Sequence, residues 1–374
     1  MRIAVLAHMH YAIRHPYAGG LEMHTDLTVE HLVRLGHDVT VYAKEGTRTA
    51  GTVVPLVAED FDPTVRTPQE AERRRRVLFG AMGEACRQVK DGRFHAVLNN
   101  SLSPIPLRDL RHAPMVTVLH TPATLTEVLA VLDDPAWTPP PLHRWLSVSA
   151  ANALAWTHRL PRVSVVPNGI ELAHWRSTVK PVPGRAVWTG RITGEKGLHV
   201  AIQAARLAGF ELHFAGPLSD RTYFRTEVEP LLGEDTVYHG HLDHRRLPDL
   251  LASGEVYVAS PLWAEPFGLA TVEAMAMGTP VAAFLTGAMG EIVSPQAGDL
   301  AIHHSARALA DSIAVARTRD RGRVRSWARQ FGADRMVDSY LDVLRDVAVE
   351  AGTLPGPGSD DDGTPLLLSA QPVP

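Results

Sequence analysis

The sequence is poor in cysteine, lacks a long apolar run and has no excess of basic residues. Cys86 is the single cysteine, so no intrachain disulfide can form, which suits a reducing compartment. No apolar run reaches the length of about 18 residues that a membrane-spanning helix needs. The 37 Lys and Arg residues are fewer than the 41 Asp and Glu residues, which argues against a nucleic-acid partner.

The length and composition favour two folded domains followed by an acidic tail. With 374 residues, 45% of them hydrophobic and 21% charged, the chain can form two domains of about 100–200 residues each and is too apolar to be disordered. Its net charge of −4 comes mainly from residues 346–374, which contain five acidic residues and no basic residue. We predict that residues 350–374, rich in Pro, Gly, Ser and Asp, form a disordered tail.

The N-terminal stretch has the pattern of a strand, a glycine loop and an amphipathic helix. Residues 3–7 form a short apolar run, which favours a buried parallel strand over a signal peptide. Gly19 and Gly20 follow, then apolar residues at helical spacing over 21–35 and a second strand over 39–43. This order predicts a Rossmann-like opening.

The alternation of strands and helices restarts after an Asn168-Gly169 turn. The sequence therefore predicts an α/β protein with two Rossmann-like doubly wound domains facing a cleft, over residues 1–165 and 166–325. A last amphipathic helix is predicted over 326–349. Residues 44–68 are predicted to be irregular, and the Pro-rich segment 121–142 is predicted to be an ordered loop.

Two cations lie on a glycine-rich turn of the second domain. A predicted strand ends at Thr189, and glycines follow at positions 190, 194 and 197. Arg191 and Lys196 flank the expected start of the next helix, where backbone N–H groups favour an anion. The two side chains can clamp a diphosphate without a metal ion, although solvated surface cations give the same pattern.

Two acids straddle the expected start of another helix. Glu265 follows the predicted strand 256–260, and Glu273 lies in the second turn of the helix that starts near Gly268. Ligands of open α/β sheets bind at the carboxyl ends of the strands, so both carboxylates can accept hydrogen bonds from sugar hydroxyls. Local capping or pairing of Glu273 is the structural alternative.

Together these motifs resemble those of the GT-B glycosyltransferases of family 4. The resemblance rests first on Arg191 and Lys196, followed by the segment 265–280 with its two glutamates. Other segments match in order and spacing, so that the resemblance spans residues 1 to about 349: Gly19-Gly20-Leu21-Glu22, Leu119-His120-Thr121-Pro122, Val166–Ile170 and Gly287–Val293. It implies a GT-B fold whose C-terminal helix crosses back to the N-terminal domain.

The resemblance implies a role for each matching residue. Arg191 and Lys196 would bind the diphosphate of a nucleotide-sugar. Glu265 would bind hydroxyls of the donor sugar, and Glu273 the hydroxyls of the ribose. His120 would reach the sugar near the reacting carbon, so the expected catalytic residues are His120, Arg191, Lys196 and Glu265.

Two backbone segments complete the donor site that the resemblance implies. The backbone of Phe267, Gly268 and Leu269 would contact the donor. The loop at Gly19 and Gly20 would close on its diphosphate from the N-terminal domain.

The implied reaction is that of a retaining hexosyltransferase without a metal or other cofactor. A UDP- or GDP-linked sugar is the favoured donor, and an envelope glycan, a glycolipid or a small natural product could supply the acceptor hydroxyl. Negative charge develops on the leaving diphosphate, where the two cations and the helix N–H groups are aimed. A phosphate oxygen is the expected base, and no protein nucleophile is expected.

The N-terminal domain offers weaker candidates for the acceptor. His8 and His10 follow the first strand, and Arg73, Arg74, Arg75 and Arg76 open the helix predicted over 69–90. The arginine run could meet a phosphorylated acceptor or an anionic membrane surface, or form a solvated turn beside Glu70 and Glu72. We expect a cytoplasmic protein, with peripheral contact at the inner membrane face as an open alternative.

Two rival functions are less well supported by the residues. An NAD(P)-dependent oxidoreductase or epimerase predicts Gly-x-Gly-x-x-Gly after the first strand and an acid after the second. The loop 10–20 has a single glycine pair, and Tyr42 and Lys44 lie where the acid would be. A non-catalytic sugar-nucleotide binding protein should lack part of the Arg/Lys/Glu/Glu set, which is complete here.

Overall fold

The computed structural model describes residues 1–356 and contains two parallel β-sheets. The first sheet is built from residues before 166 and the second from residues after 184, so the predicted two-domain α/β fold is confirmed. Part of the predicted tail, 357–374, lies outside the described residues. Thr353, just after the last helix, donates a hydrogen bond from Oγ1 to the His95 carbonyl oxygen at 2.7 Å.

The first sheet has the strand order β3-β2-β1-β4-β5-β6-β7. Its strands are short apolar runs, as expected for a sheet covered on both faces: β1 (Arg2–Leu6), β2 (Asp38–Lys44), β3 (Thr52–Val57), β4 (Ala96–Asn99), β5 (Met115–Leu119), β6 (His143–Ser147) and β7 (Ser164–Val165). The prediction of irregular structure over 44–68 was therefore wrong in part. As an edge strand, β3 tolerates Pro55 and a register shift, which hide it from a pattern search.

The second sheet has the strand order β10-β9-β8-β11-β12-β13, so its early strands lie at its centre like those of the first sheet. The strands follow the sequence pattern closely: β8 (Arg185–Thr189), β9 (Glu211–Ala215), β10 (Thr236–Tyr238), β11 (Val256–Ala259), β12 (Val281–Phe284) and β13 (Gly298–Ala301). In both sheets the crossover point lies beside the first strand of the domain. Ligands of doubly wound sheets bind at such points.

The helices connect the parallel strands. Those of residues 1–356 are α1 (Gly20–Arg34), α2 (Pro68–Asp91), α3 (Ile105–Asp109), α4 (Thr126–Leu132), α5 (Ala150–Leu154), α6 (Leu198–Leu207), α7 (Arg221–Tyr223), α8 (Leu247–Ser253), α9 (Leu269–Ala276), α10 (Met289–Ile292), α11 (Ala306–Ala316), α12 (Arg321–Ala328) and α13 (Ala333–Glu350). Helix α4 interrupts the segment 121–142, which was predicted to be loop throughout. The predicted last helix is divided at Gly332 into α12 and α13.

The start of α2 changes the interpretation of the arginine run. Thr67 and Glu70 form a reciprocal capping box, and Pro68 occupies the first turn. These are strong N-terminal signals, and they place Arg73 in the second turn. The prediction that the four arginines open the helix was therefore wrong. They lie beyond the reach of its N-terminal dipole.

Helix α13 joins the two domains through a shared core. It packs against α1 and against strands β4 to β6 of the first sheet. Tyr340 of α13 is fully buried in the same apolar cluster as Ile3 of β1 and Val272 of α9. Phe267 and Phe331 meet at a ring distance of 5.8 Å beside it. Because this core contains residues of both domains, it joins the two sheets through apolar contacts.

Candidate active site

Lys196 and Glu265 form a close ion pair on the C-terminal domain. The Lys196 Nζ lies 2.6 Å from the Glu265 Oε2, and the Trp263 Nε1 donates to the same oxygen at 2.8 Å. The ammonium also lies 5.5 Å from the centre of the Trp263 ring, within range of a cation–π contact. The structure thus brings together two residues that were predicted to bind the sugar donor, Lys196 and Glu265. Trp263 completes this group, and the sequence did not indicate it.

The cations lie just before a helix rather than on it. Lys196 ends a short 3-10 turn over Gly194–Lys196, and α6 begins at Leu198, after Gly197. Arg191 lies in the loop after β8, and its guanidinium is 3.4 Å from the Glu195 carboxylate. Both side chains of that pair are well exposed, at 47% and 38%. An exposed pair of this kind is weak, so Arg191 stays free to bind an anion.

The loop that carries Glu265 is held by the segment 287–290. Gly287 has a left-handed φ of 51°, and a Cβ there would lie 2.2 Å from the Glu265 carbonyl oxygen. The Ala288 N–H donates to that same oxygen at 2.9 Å. Gly268, which precedes α9, has φ 102°, and a Cβ there would lie 2.3 Å from Met289 Cε. Only glycine fits either position, so the two segments together position the Glu265 backbone.

Glu273 lies in α9 as a buried acid that no side chain of residues 1–356 pairs with. Its side chain belongs to the buried polar set at 6% exposure, and burial raises its pKa to about 8. Among residues 1–356, no group donates a hydrogen bond to its carboxylate, so the predicted alternative of local pairing is not observed. A buried carboxyl group in this state is suited to bind the hydroxyls of a ligand.

The N-termini of α1 and α9 adjoin across the domain boundary. A Cβ built on Gly20 would lie 3.0 Å from Leu269 Cδ1, which places the first residues of the two helices side by side. The first N–H groups of each helix have no intrahelical partner and favour an anion. The structure therefore brings the predicted glycine loop, Gly19 and Gly20, against the predicted donor loop, Phe267 to Leu269.

His120 directly follows β5 and is partly buried, and it contacts the buried His24. Its Nε2 is 3.1 Å from the Asn100 Oδ1, and its ring centre is 4.6 Å from that of His24 in a T-shaped contact. Burial, with the neighbouring His24 and His8, holds the pKa of His120 well below its usual value. The imidazole is therefore neutral at physiological pH.

The acceptor candidates form a partly buried group beside β1. The rings of His8 and His10 stack at 4.0 Å, and the His8 Nδ1 is 3.3 Å from a carboxylate oxygen of the buried Glu22. Burial, together with the charges of His8, Arg74 and Lys44, lowers the pKa of His10 to about 3. Among the other three arginines of the segment 73–76, Arg75 pairs with Glu72, whereas Arg73 and Arg76 are exposed to solvent.

Two contacts that the sequence did not indicate link the domains beside the donor loop. The Ser149 Oγ donates to the Pro266 carbonyl oxygen at 2.7 Å. The Glu291 carboxylate accepts from the backbone N–H groups of Ala150 and Ala151, at 2.8 and 2.6 Å. Glu291 belongs to a segment that the sequence pattern singled out, whereas no motif marks Ser149.

Two absences within residues 1–356 concern metal ions and membranes. Within residues 1–356, no three His, Cys, Asp or Glu side chains are grouped in a way that could hold a metal ion. No helix in that range is both long enough and apolar enough to span a bilayer.

Two sequence families match adjoining parts of the chain. The family described as Glycosyltransferase Family 4 matches residues 18–174, and the one described as Glycosyl transferases group 1 matches residues 174–325. The change from one to the other falls in the segment between the two sheets. The paired match thus follows the two-domain architecture.

Curated relatives match over different lengths. A glycogen synthase of Mycobacterium tuberculosis is 34% identical over 143 residues, which are 36% of this chain and 34% of that protein. A D-inositol 3-phosphate glycosyltransferase of Xylanimonas cellulosilytica is 28% identical over 278 residues, which are 61% of this chain and 66% of that protein. The chain thus spans about a third of the glycogen synthase and just under two thirds of the second relative.

Solved structures match over almost the whole chain. Sucrose-phosphate synthase from Thermosynechococcus elongatus has a TM-score of 0.75 at 18% identity, covering 94% of this chain and all of that one. HepE of Anabaena, solved in complex with UDP-glucose, has a TM-score of 0.66 at 18% identity, covering 95% and 100%. At such identities the likeness establishes the fold.

Proposed function

The chain belongs to the family 4 glycosyltransferases of GT-B fold, and we propose that it transfers a sugar from a nucleotide-sugar to a hydroxyl acceptor with retention of anomeric configuration. The observation that carries the proposal is the group formed by Lys196, Glu265 and Trp263 beside the adjoining N-termini of α1 and α9. The ammonium of Lys196, together with two helix N-termini, suits a diphosphate, and the carboxylate of Glu265 suits sugar hydroxyls.

The donor is assigned to the C-terminal side of the cleft. Arg191 and Lys196 bind its diphosphate, Glu265 binds hydroxyls of the sugar and Glu273 binds the ribose. The Lys196–Glu265 pair holds both groups in place before the donor arrives, which reduces the ordering that binding requires. The UDP-glucose complex of HepE supports a nucleotide-sugar as donor, and UDP- and GDP-linked sugars are our first candidates.

The proposed reaction exchanges one bond at the anomeric carbon for another. The bond from that carbon to the diphosphate oxygen breaks with its electron pair on the oxygen. The acceptor oxygen bonds to the same face of the carbon, and its proton passes to the leaving diphosphate. Arg191, Lys196 and the helix N–H groups stabilise the developing negative charge. The step uses no protein nucleophile, and we propose that it needs no metal ion.

The acceptor is assigned to the N-terminal domain, near His8, His10 and Arg74. Imidazole nitrogens can bind acceptor hydroxyls, and the exposed arginines of α2 fit an anionic group on the acceptor. The relatives named for D-inositol 3-phosphate and glycogen show that the fold serves acceptors of different kinds. An envelope glycan, a glycolipid and a small natural product all remain within the proposal.

Ligand-induced thermal stabilisation tests the donor assignment. We expect at least one of UDP, GDP, ADP and TDP to raise the Tm of the full chain, because a ligand that binds only the folded state stabilises it. The shift should be lost in Lys196→Ala and kept in the exposed control Lys180→Ala. A shift with NAD+ or NADP+ alone would instead support the oxidoreductase alternative.

The stereochemistry of the product tests the retaining mechanism. With the matching α-linked nucleotide-sugar, proton NMR should show an α-linked product from the first turnovers. A β-linked product would contradict retention. Binding of the nucleotide-sugar with no transfer and no hydrolysis, for any acceptor of a broad panel, would support the alternative of a non-catalytic binding protein.

A further inference from the structure

We propose that Thr25 and Asn100 hold His120 in the tautomer protonated on Nε2, so that its Nδ1 accepts a hydrogen bond from a substrate hydroxyl in the cleft. The assignment of a substrate hydroxyl rests on the proposed glycosyl transfer. The assignment of the tautomer rests only on hydrogen bonds within the N-terminal domain.

The hydrogen bonds of Thr25 fix the orientation of the Asn100 side-chain amide. The Thr25 Oγ1 donates to the Leu21 carbonyl oxygen at 2.9 Å, one turn earlier in α1. That bond uses the only proton of the hydroxyl. Towards Asn100, 3.4 Å away, the Thr25 oxygen can therefore only accept. The amide must present its Nδ2 to Thr25, which leaves its Oδ1 directed at His120.

The orientation of Asn100 in turn determines which ring nitrogen of His120 carries the proton. The Asn100 Oδ1 has no proton to give, so the His120 Nε2 at 3.1 Å must be the donor. A neutral imidazole carries one N–H, which makes the Nδ1 an acceptor. Among residues 1–356, no protein group forms a hydrogen bond with this Nδ1. It is therefore available for a ligand.

The surroundings keep this arrangement dry and neutral. Asn100 is fully buried and Thr25 is 1% exposed, so water does not compete for their hydrogen bonds. The titratable groups that face His120 are His24 and His8. Burial lowers the pKa of His24 to about 4, so it is a neutral neighbour at pH 7 that packs its ring on His120.

The same chain of hydrogen bonds reaches the donor side of the cleft. Leu21, which accepts from Thr25, follows Gly20, and Gly20 adjoins Leu269 at the start of α9. The position of α1 against the donor loop is thus connected to the orientation of His120 through two side chains. Asn100 and Thr25 act as positioning residues, and His120 is the residue that meets the substrate.

Nitrogen NMR on the full chain labelled with 15N-histidine tests the tautomer directly. The His120 signals are identified by their loss in His120→Gln. We expect the Nε2-protonated form in the natural chain and a mixture of tautomers in Asn100→Ala and in Thr25→Val. Thr28→Val is the matched control, because Thr28 is buried in the same helix and bonds to the His24 carbonyl oxygen but not to Asn100. It should leave the His120 signals unchanged.

Kinetics test the role of the exposed Nδ1. Loss of one positioned neutral hydrogen bond should lower kcat/KM about 10-fold in Asn100→Ala and Thr25→Val, with Thr28→Val within about twofold of the natural chain. Asn100→Asp places a carboxylate on Nε2 and raises the pKa of His120, since a nearby negative charge favours the imidazolium. That variant should lose activity as the pH falls through the raised pKa, because the protonated Nδ1 no longer accepts.

The outcomes separate this inference from the proposed function. A natural chain with Nδ1 protonated, or an Asn100→Ala chain that is folded and keeps the natural tautomer, would overturn the positioning role. A mixture of tautomers combined with unchanged kcat/KM in Asn100→Ala would overturn the role of Nδ1 towards substrate. If the tautomer shifts as expected but no nucleotide-sugar is bound or turned over, the positioning holds and the proposed glycosyl transfer fails.

Discussion

The two walls of the cleft use opposite electrostatic strategies. The C-terminal wall is charged, with Arg191 exposed and Lys196 paired to Glu265 at 2.6 Å. The N-terminal wall presents neutral imidazoles, because burial lowers the pKa of His10, His24 and His120 below the physiological range. Charges suit the leaving diphosphate, whereas neutral imidazole suits hydroxyls that must be oriented without being ionised. We therefore assign the side-chain cations for the diphosphate to the C-terminal domain and the neutral imidazoles that orient hydroxyls to the N-terminal domain.

The largest effect should follow from removing a cation of the charged wall. We expect Lys196→Ala to lower turnover about 10³-fold and Arg191→Ala about 10²-fold, as loss of one group that stabilises transition-state charge typically does. Steady-state kinetics with the bound nucleotide-sugar measures both. Lys180→Ala, an exposed cation of the same domain, should stay within twofold. Natural turnover in Arg191→Ala would contradict the diphosphate clamp.

The next effect concerns Glu273, a buried acid of the charged wall. With a pKa of about 8, Glu273 is protonated below that pH and must ionise to accept two ribose hydroxyls. Nucleotide affinity should therefore rise with pH, up to about tenfold per unit between about pH 6 and 8, and level off above 8. Calorimetric titration of the natural chain against Glu273→Gln, which lacks this ionisation, isolates the effect from the titration of the phosphates.

The same residue should reveal a conflict between stability and function. Because the folded pKa of Glu273 lies above its unfolded value, its contribution to stability falls as the pH rises from about 4.5 to 8. At pH 8, Glu273→Gln should gain about 1 kcal/mol or more, a rise of about 2–4 °C in Tm for a domain of this size, while binding nucleotide more weakly. A Tm below that of the natural chain at pH 8 would show that Glu273 is not a destabilising acid.

A smaller effect is expected where the two walls are joined. Glu291→Gln weakens the hydrogen bonds that this side chain accepts from the backbone N–H groups at the start of α5. Ser149→Ala removes the hydrogen bond that the Ser149 hydroxyl donates to the Pro266 carbonyl oxygen. We expect the double variant to lower kcat about 3–10-fold, since a hydrogen bond to a charged group contributes on the order of 1.5–3 kcal/mol and a neutral one about 0.5–1.5 kcal/mol, only part of it in the transition state. Small-angle scattering should show a wider cleft. Glu255→Gln, whose carboxylate accepts from Gly184 N and pairs with Arg317 within one domain, is the control.

The smallest effect is expected from the exposed arginines of α2. Arg73→Ala with Arg76→Ala should change nucleotide affinity less than twofold and the free energy of unfolding by under about 0.5 kcal/mol, because both side chains are solvated. Sedimentation with anionic and with neutral liposomes tests the membrane alternative. Equal sedimentation with anionic and neutral liposomes would contradict the membrane alternative. An anionic acceptor would then be the remaining partner for these arginines.

The sequence predicted the charged wall better than the neutral one, for a physical reason. Arg191, Lys196 and Glu265 lie on short turns after β8 and β11, and Glu273 lies in the helix that directly follows the second turn, so a local motif marks each. Thr25 and Asn100 come from separate elements and meet only through the tertiary fold, and Ser149 meets Pro266 of the other domain. No local pattern brings them together, although the position of Asn100 just after β4 is a usual place for a ligand-binding residue.

The misassigned elements have a similar cause. Strand β3 is an edge strand with a proline, and α4 lies within a Pro-rich segment, so neither shows the periodicity of a buried element. The break between α12 and α13 falls at Gly332, where the linker packs: a Cβ on Gly169 would lie 2.6 Å from Ala333 Cα. Only the tertiary contact shows why the helix must break there.

Calorimetric titration with UDP, GDP, ADP and TDP, run on three chains side by side, tests the division of labour between the walls most directly. For the nucleotide that binds the natural chain, Lys196→Ala should weaken affinity at least tenfold, whereas Asn100→Ala should keep it within about twofold. An equal loss in both variants, or an unchanged affinity in Lys196→Ala, would contradict the assignment of the diphosphate cations to the C-terminal wall.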